Sequence, residues 1–191
     1  MLFRTYLHLV ENKISTNTPN FKRWFANSKV VDEHGKPMIM YHGTRGDFTK
    51  FFQGSHFGSS KAANNRLRYT RGMTGNEKIM PVYLKITNPY RVEDLDSADE
   101  ASLFNSYLKK MKIGDDKNLP KINIDLARRE GMYKAMQKAG YDGLVYSNRF
   151  EDNGNDSWVV FNTNQVKSAI SNNGDYDQNS DHIHEFIDYK I

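Results

Sequence analysis

The chain has 191 residues, enough for one domain with a sizeable core and too few for two domains and a linker. Eleven Phe, eleven Tyr and two Trp exclude a disordered chain, and the absence of cysteine excludes disulfide frameworks, thiolate zinc sites and a cysteine nucleophile. The formal charge of +4 is mild, so a nucleic-acid contact would have to come from a local patch rather than from the whole surface.

The opening stretch MLFRTYLHLV contains Arg4 and His8 and runs directly into Glu11, Asn12 and Lys13. It reads as neither a secretory h-region nor a membrane span, which needs about 20 apolar residues; the expected setting is cytoplasmic, with no membrane partner. Residues 1–19 are taken as an N-terminal extension. Phe21, Trp24 and Phe25 then fall at helical spacing after Asn20, a suitable N-cap. Lys29–Val31 and Met38–Tyr41 flank a Gly/Pro turn and predict a hairpin, with His42 at the end of its second strand.

Residues 60–69 predict a helix. With the residues after it, this helix carries a basic run, Lys61, Arg66, Arg68, Arg71 and Lys78, opposed only by Glu77. A solvated face is the simpler reading of that run, and contact with phosphates of a cofactor, RNA or DNA is the other. Val82, Leu84 and Ile86 alternate as in a half-buried strand that Pro81 opens. Helices are expected over Ala98–Met111 and over Asp125–Ala139, the second capped by Asp125 and stopped by Gly140, with the loop Gly114–Pro120 between them.

Gly143–Tyr146 and Trp158–Phe161 flank a polar stretch, Ser147–Asp156, and form the clearest hairpin in the chain. Beyond it, residues 171–185 hold Tyr176 and Ile183 as their only large apolar side chains. Residues 172–191 are therefore expected to be a mobile polar tail or a late-docking extension, and truncation after Ser171 is expected to leave the fold intact. Asp175, Asp177, Asn179 and Asp181 imitate the start of a calcium loop, but Ser180 stands where glycine is needed and Phe186 where a bidentate Glu is needed. His182 and His184 lack further ligands, so no metal site is expected, and Arg128 with Arg129 reads as a solvent face.

Tyr41-His42-Gly43-Thr44 follows an apolar run and precedes a polar loop, the kind of place where a rigid edge presents catalytic groups to a cleft. Taken alone, the motif is a weak signal, and a strand-end histidine held by backbone beside a turn glycine is the simpler reading.

Several motifs in order say more. MIMYHGT, then Gly54-Ser55-His56-Phe57 leading into GSSKAAN, then Trp158-Val159-Val160-Phe161 and Asn164 to Ala169, resemble the diphtheria-toxin and poly-ADP-ribose-polymerase (His-Tyr-Glu) branch of ADP-ribosyltransferases. The likeness is greatest to the ADP-ribosyltransferase domains of phage and mobile-element polyvalent proteins. It includes the lead-in FKRWFANSKVVDEHGKP and the strand GYDGLVY, and it spans residues 20–171 as a catalytic domain. The resemblance implies an α+β fold, a split mixed β-sandwich of two small sheets with flanking helices, and NAD bound as substrate in the cleft between the sheets.

The resemblance also implies roles. His42 would hold the adenosine ribose and the backbone of Gly43 would clamp the nicotinamide amide, with Tyr41, Thr44 and Arg45 completing the cofactor-binding set. His56 occupies the position of a stacking Tyr and offers a smaller face. Asn65 replaces a second stacking Tyr, leaving Phe57 or Tyr69 as other platforms.

Relatives carry a Glu immediately before the aromatic of the third motif, where this chain has Ser157, and a hydroxyl cannot stabilise the cation formed as nicotinamide leaves. Glu151 is the replacement candidate, expected to face Asp156 and Ser157 across the hairpin with Cβ atoms about 5 Å apart. Asp156 is shorter and ranks second. Glu151 and His42 are then the catalytic pair.

The implied partners are NAD, a macromolecular acceptor (protein, RNA or DNA) and an antitoxin or inhibitor of a toxin or phage–host-conflict effector. The alternatives are an NAD glycohydrolase and a non-catalytic module that binds NAD or ADP-ribose. The RNA 2′-phosphotransferase branch also carries His-Gly-Thr, but its further Arg and His motifs are not found.

Overall fold

The computed structural model describes residues 16–46, 48–69, 75–94, 99–114, 119–172 and 174–184. The readings of residues 1–15, Arg71, Ala98, the middle of the Gly114–Pro120 loop, Phe186 and the last residues lie outside the described ones.

Helix α1 (Pro19–Phe25) begins earlier than Asn20: Thr18 is its N-cap, accepting from the Phe21 N–H at 3.2 Å, and Pro19 sits in the first turn, where no donor is needed. The hairpin expected over residues 29–41 shrinks to a single bridge between Val31 and Pro37. Its turn is closed by the Asp32 carboxylate, which accepts from the N–H groups of His34 and Lys36. The apolar strand β1 (Met40–Thr44) finds a longer partner instead, β3 (Lys78–Leu84), and His42 lies mid-strand opposite Met80.

Strand β3 is the centre of a three-stranded antiparallel sheet, β1-β3-β7, in which β7 is Val166–Ser168. Pro81 is therefore interior to its strand rather than first. Its carbonyl accepts from Ala169, just past the end of β7, so the missing donor falls where the ladder has already stopped.

The second sheet has the order β2-β6-β5-β4, with β2 His56–Phe57, β4 Pro89–Val92, β5 Gly143–Asn148 and β6 Asn155–Val160. Its β4–β5 pair is parallel and the others are antiparallel, which makes it mixed. Tyr41 and Gly58 exchange backbone hydrogen bonds of 2.8 and 3.0 Å, tying the two sheets together beside the motif. The architecture is the α+β pair of small sheets that the resemblance implied.

Among the helices, α2 (Ser60–Tyr69) lies against β1, and α3 (Glu100–Ile113) starts from the Asp99 cap. The single helix expected over Asp125–Ala139 is two, α4 (Ile124–Glu130) and α5 (Met132–Lys138), and the first is capped by Asn123 rather than Asp125. Gly131 breaks the run at φ +91°, a conformation that costs a side chain dearly. The Glu100 carboxylate fills the space beside it and accepts the Tyr133 N–H at 2.7 Å.

The long hairpin is real and tighter than expected. Its register runs from Gly143↔Val160 to Asn148↔Asn155, and the turn contains a one-turn helix, α6 (Arg149–Asp152).

Between the sheets, Met40, Phe51, Phe57, Val82, Trp158 and Ile183 belong to one apolar cluster. Ile183 fits the late-docking alternative for the segment after Ser171. It is 0% exposed, and its backbone bonds to Ser168 and Thr49 at 2.8 and 2.9 Å. Tyr176 is buried against the rings of Phe21 and Trp24, and the fully buried Lys167 donates to the carbonyls of Ser180 and His182. Two well-placed apolar residues suffice to dock a polar segment, because each contributes about 1.5–3 kcal/mol when fully buried. Among the described residues, no helix is long and apolar enough to cross a membrane.

Candidate active site

One cleft of about 870 Å³ opens beside the junction of the sheets, within the roughly 300–1,000 Å³ typical of ligand sites. Tyr41, His42 and Gly43 of β1 and the Gln53–Gly58 segment line it on one side and Tyr146, Asn148, Phe150, Glu151 and Ser157 on the other, while Ala62, Ala63 and Arg66 of α2 bridge the two.

On the first wall, strand β1 inserts the His42 ring among Phe48, Phe51 and Phe57, with centroids 6.3, 5.1 and 5.5 Å away. Nδ1 of His42 lies 2.7 Å from the carbonyl oxygen of His56. A carbonyl can only accept, so Nδ1 carries the proton and the neutral ring offers Nε2 as an acceptor. Burial pushes the pKa of His42 below the ordinary histidine value, against the opposing pull of the His56 carbonyl, so the neutral ring is favoured. Gly43 is required by packing: a Cβ there would stand 2.6 Å from the Ala63 carbonyl oxygen and 2.8 Å from Leu67 Cγ, so α2 would have to move away from β1.

The second wall is polar. Asn148, the last residue of β5, accepts from the Glu151 N–H at 2.9 Å and so caps α6. Its amide Nδ2 donates to Glu151 Oε2 at 3.0 Å and to Ser157 Oγ at 3.1 Å. Arg66 Nη1 stands 3.5 Å from the other Glu151 oxygen, and the Asn65 amide donates to the Glu151 carbonyl at 2.8 Å. Tyr146 pairs with Ser157 in register, and its hydroxyl lies 3.1 Å from Nδ1 of His56. Burial raises the Tyr146 pKa, helped by Glu151 and Asp94, so the hydroxyl keeps its proton. Hydrogen bonds thus join His42 to the His56 carbonyl, the His56 ring to Tyr146, and Ser157 through Asn148 to Glu151, with Tyr146 and Ser157 side by side as register partners.

Of the residues expected at the site, Tyr41, His42, Gly43, His56, Phe57 and Glu151 border the cleft together. Glu151 does not face Asp156 and Ser157 across a ladder, because Ser147 and Tyr146 hold those register positions; it arrives from the helical turn through Asn148. Asp156 is turned to Arg91, which grips it with two bonds of 2.9 and 2.7 Å, and it is absent from the cleft walls. Thr44 and Arg45 are also outside those walls. Thr44 closes the turn at Gly46, and Arg45 reaches Glu77 and the Leu67 carbonyl. Phe57 is only 1% exposed, whereas His56 is half-buried. Tyr69, an alternative stacking platform, is 72% exposed and away from the cleft. Asn65 holds backbone instead of a ligand face.

The family model described as ADP-ribosyltransferase in polyvalent proteins matches residues 32–176. The chain belongs to that family. No curated protein and no solved structure matches it.

Membership of this family supports ADP-ribosyl transfer as the general class of reaction. Among the cleft residues that the sequence did not mark out are Tyr146 and Asn148. Tyr146 was visible only as an apolar strand residue. Asn148 left one usable signal, an Asn three residues before a Glu, the spacing of an N-cap that engages the N3 backbone.

Proposed function

We propose that the transferase cleaves NAD in this cleft and passes ADP-ribose to a protein side chain. The observation that carries the reading is the placement of Glu151: its carboxylate borders the same cleft as His42 and is tied by Asn148 to Ser157, where relatives of the His-Tyr-Glu branch keep their Glu. The bond between ribose C1 and the nicotinamide nitrogen breaks, and its electron pair leaves with the nicotinamide. Glu151 stabilises the cationic ribose that remains, and the acceptor nucleophile attacks C1 and gives up its proton. Nε2 of His42 accepts from a ribose hydroxyl, the Gly43 backbone holds the nicotinamide amide, and the His56 ring supplies the stacking face.

Charge supports a protein acceptor over nucleic acid. Asp94, Asp99 and Glu100 join Glu151 on the cleft walls, where Arg66 is the cationic counterpart. The basic run that kept nucleic acid open is partly spent, with Lys61 3.6 Å from Asp152 and Arg66 3.5 Å from Glu151. The polyvalent setting supports an effector role in phage–host conflict, for which an inhibitor is the fitting partner.

The test is labelled NAD with cell lysate. Label should enter protein; entry into nucleic acid changes the acceptor, free ADP-ribose marks a glycohydrolase, and intact NAD on a protein that binds it marks a non-catalytic module. Glu151→Gln should lower turnover on the order of 10²-fold or more while NAD still binds. Asp156→Asn should stay near wild type, and the reverse pattern would move the carboxylate to Asp156.

A further inference from the structure

We infer that Asn148 is a positioning residue for the reaction: it fixes the Glu151 carboxylate at the cleft, a role that rests on Glu151 being the activating group. Asn148 is 2% exposed at the end of β5, and its side chain makes three hydrogen bonds with distinct destinations. The carbonyl oxygen accepts from the Glu151 backbone, and the two amide hydrogens go to the Glu151 carboxylate and the Ser157 hydroxyl. A flipped amide would set oxygen against carboxylate and NH₂ against N–H, so only one orientation satisfies every group.

Glu151 needs such an anchor. It sits on a four-residue helical turn rather than on a strand, and its side chain has three rotatable bonds to order. Its other side-chain partner among the described residues, Arg66, is 67% exposed at 3.5 Å, a geometry that holds little in water. Asn148 therefore does for Glu151 what a strand backbone does for a residue within a ladder. It also links the carboxylate to Ser157, so the anion is set against β6 although the chain delivers it from β5.

A residue that merely caps α6 would behave differently, and two substitutions separate the roles. Asn148→Ser keeps a cap oxygen but is too short to reach the Glu151 carboxylate. NAD cleavage should lose about 10- to 100-fold in kcat with KM nearly unchanged. Asn148→Asp keeps the cap and replaces the amide donor by a second carboxylate. Like charges raise the pKa of one of the pair, so activity should recover toward acid as the new carboxyl gains a proton and donates it. If both variants match wild type in kcat and in pH profile, Asn148 is only a cap and the inference falls.

A measurement independent of turnover is the side-chain amide resonance pair of Asn148 in ¹⁵N-labelled protein. It should shift on Glu151→Gln and on Ser157→Ala, and an unmoved pair in both would also overturn the inference. If Glu151→Gln is inactive while Asn148→Ser is fully active, only the positioning role fails. If Glu151→Gln itself is fully active, the reading of Glu151 fails and takes the positioning role with it.

Discussion

The two walls of the cleft are held by different forces. On the β1 wall, His42 is set by packing among Phe48, Phe51 and Phe57 and by one bond to a backbone carbonyl, and its free nitrogen is a neutral acceptor. On the β5–β6 wall, Glu151 is set by the side-chain amides of Asn148 and Asn65, with the exposed Arg66 adding little, and 18% of its side chain stays exposed. A dipole tolerates an apolar seat and is sharpened by it. A charge placed in the same seat would lose its hydration and take up a proton instead. The contrast fits the proposed division of labour, in which one wall orients the ribose and the other supplies an anion.

If the β1 wall depends on packing, the largest effect should come from removing the segment that backs it. Ile183 belongs to the cluster of Phe51 and Phe57, so truncation after Ser171 should leave a protein that is insoluble or lacks a cooperative melt. A truncated chain with the full-length melting temperature would show that residues 174–184 add nothing to that wall.

Next in size is a pair of variants chosen to act on one wall each. Phe51→Ala should cost about 3–5 kcal/mol of stability and weaken NAD binding together, because Phe51 is 1% exposed and touches the His42 ring. Glu151→Gln should change stability by about 0.5 kcal/mol or less and act on turnover alone. Urea melts beside NAD titrations would reveal the dissociation, and equal stability losses would erase the distinction between the walls.

Gly43→Ala should follow, at about 1–3 kcal/mol, since the added methyl meets the Ala63 carbonyl and Leu67. Leu67→Ala in the same chain should recover part of that loss by making room at α2. Failure of this rescue in a double-mutant cycle would point to the Ala63 backbone contact as the dominant clash.

The same contrast explains what the sequence disclosed. The strand that carries His42 was legible because an apolar run leading into His-Gly-Thr is written in local pattern, and so was the pairing of β5 with β6, whose continuous apolar runs flank a polar stretch. Partner choice was not: β1 left the nearby Val31 segment for β3, a long-range preference that no local window contains. The single helix expected over Asp125–Ala139 passed over Gly131, where the chain breaks at positive φ and Glu100 from α3 occupies the space a side chain would need. Glu151 reaches the cleft by a route other than the expected ladder position, because a one-turn helix capped by Asn148 is hard to tell from a loop by composition. Ile183 was discounted since the polarity of its neighbours outweighed one residue in any average, whereas burial is decided residue by residue.

The smallest effect, and the most direct probe of the β1 wall, is its pH dependence. Burial lowers the His42 pKa below its ordinary value of 6.5, so between those two pKa values the unfolded chain binds more protons than the folded one. The contribution to stability is therefore complete above about pH 6.5 and is lost as the pH falls through the folded value. NAD affinity should fall in the same direction, because protonation removes the Nε2 acceptor while Nδ1 remains committed to the His56 carbonyl. Isothermal titration between pH 7.5 and mildly acidic conditions should show weakening in wild type. His42→Gln should bind less tightly at neutral pH and show a flatter profile, since its amide does not titrate. Acid weakening of the same size in both proteins would assign the titration to another group and leave His42 as packing alone.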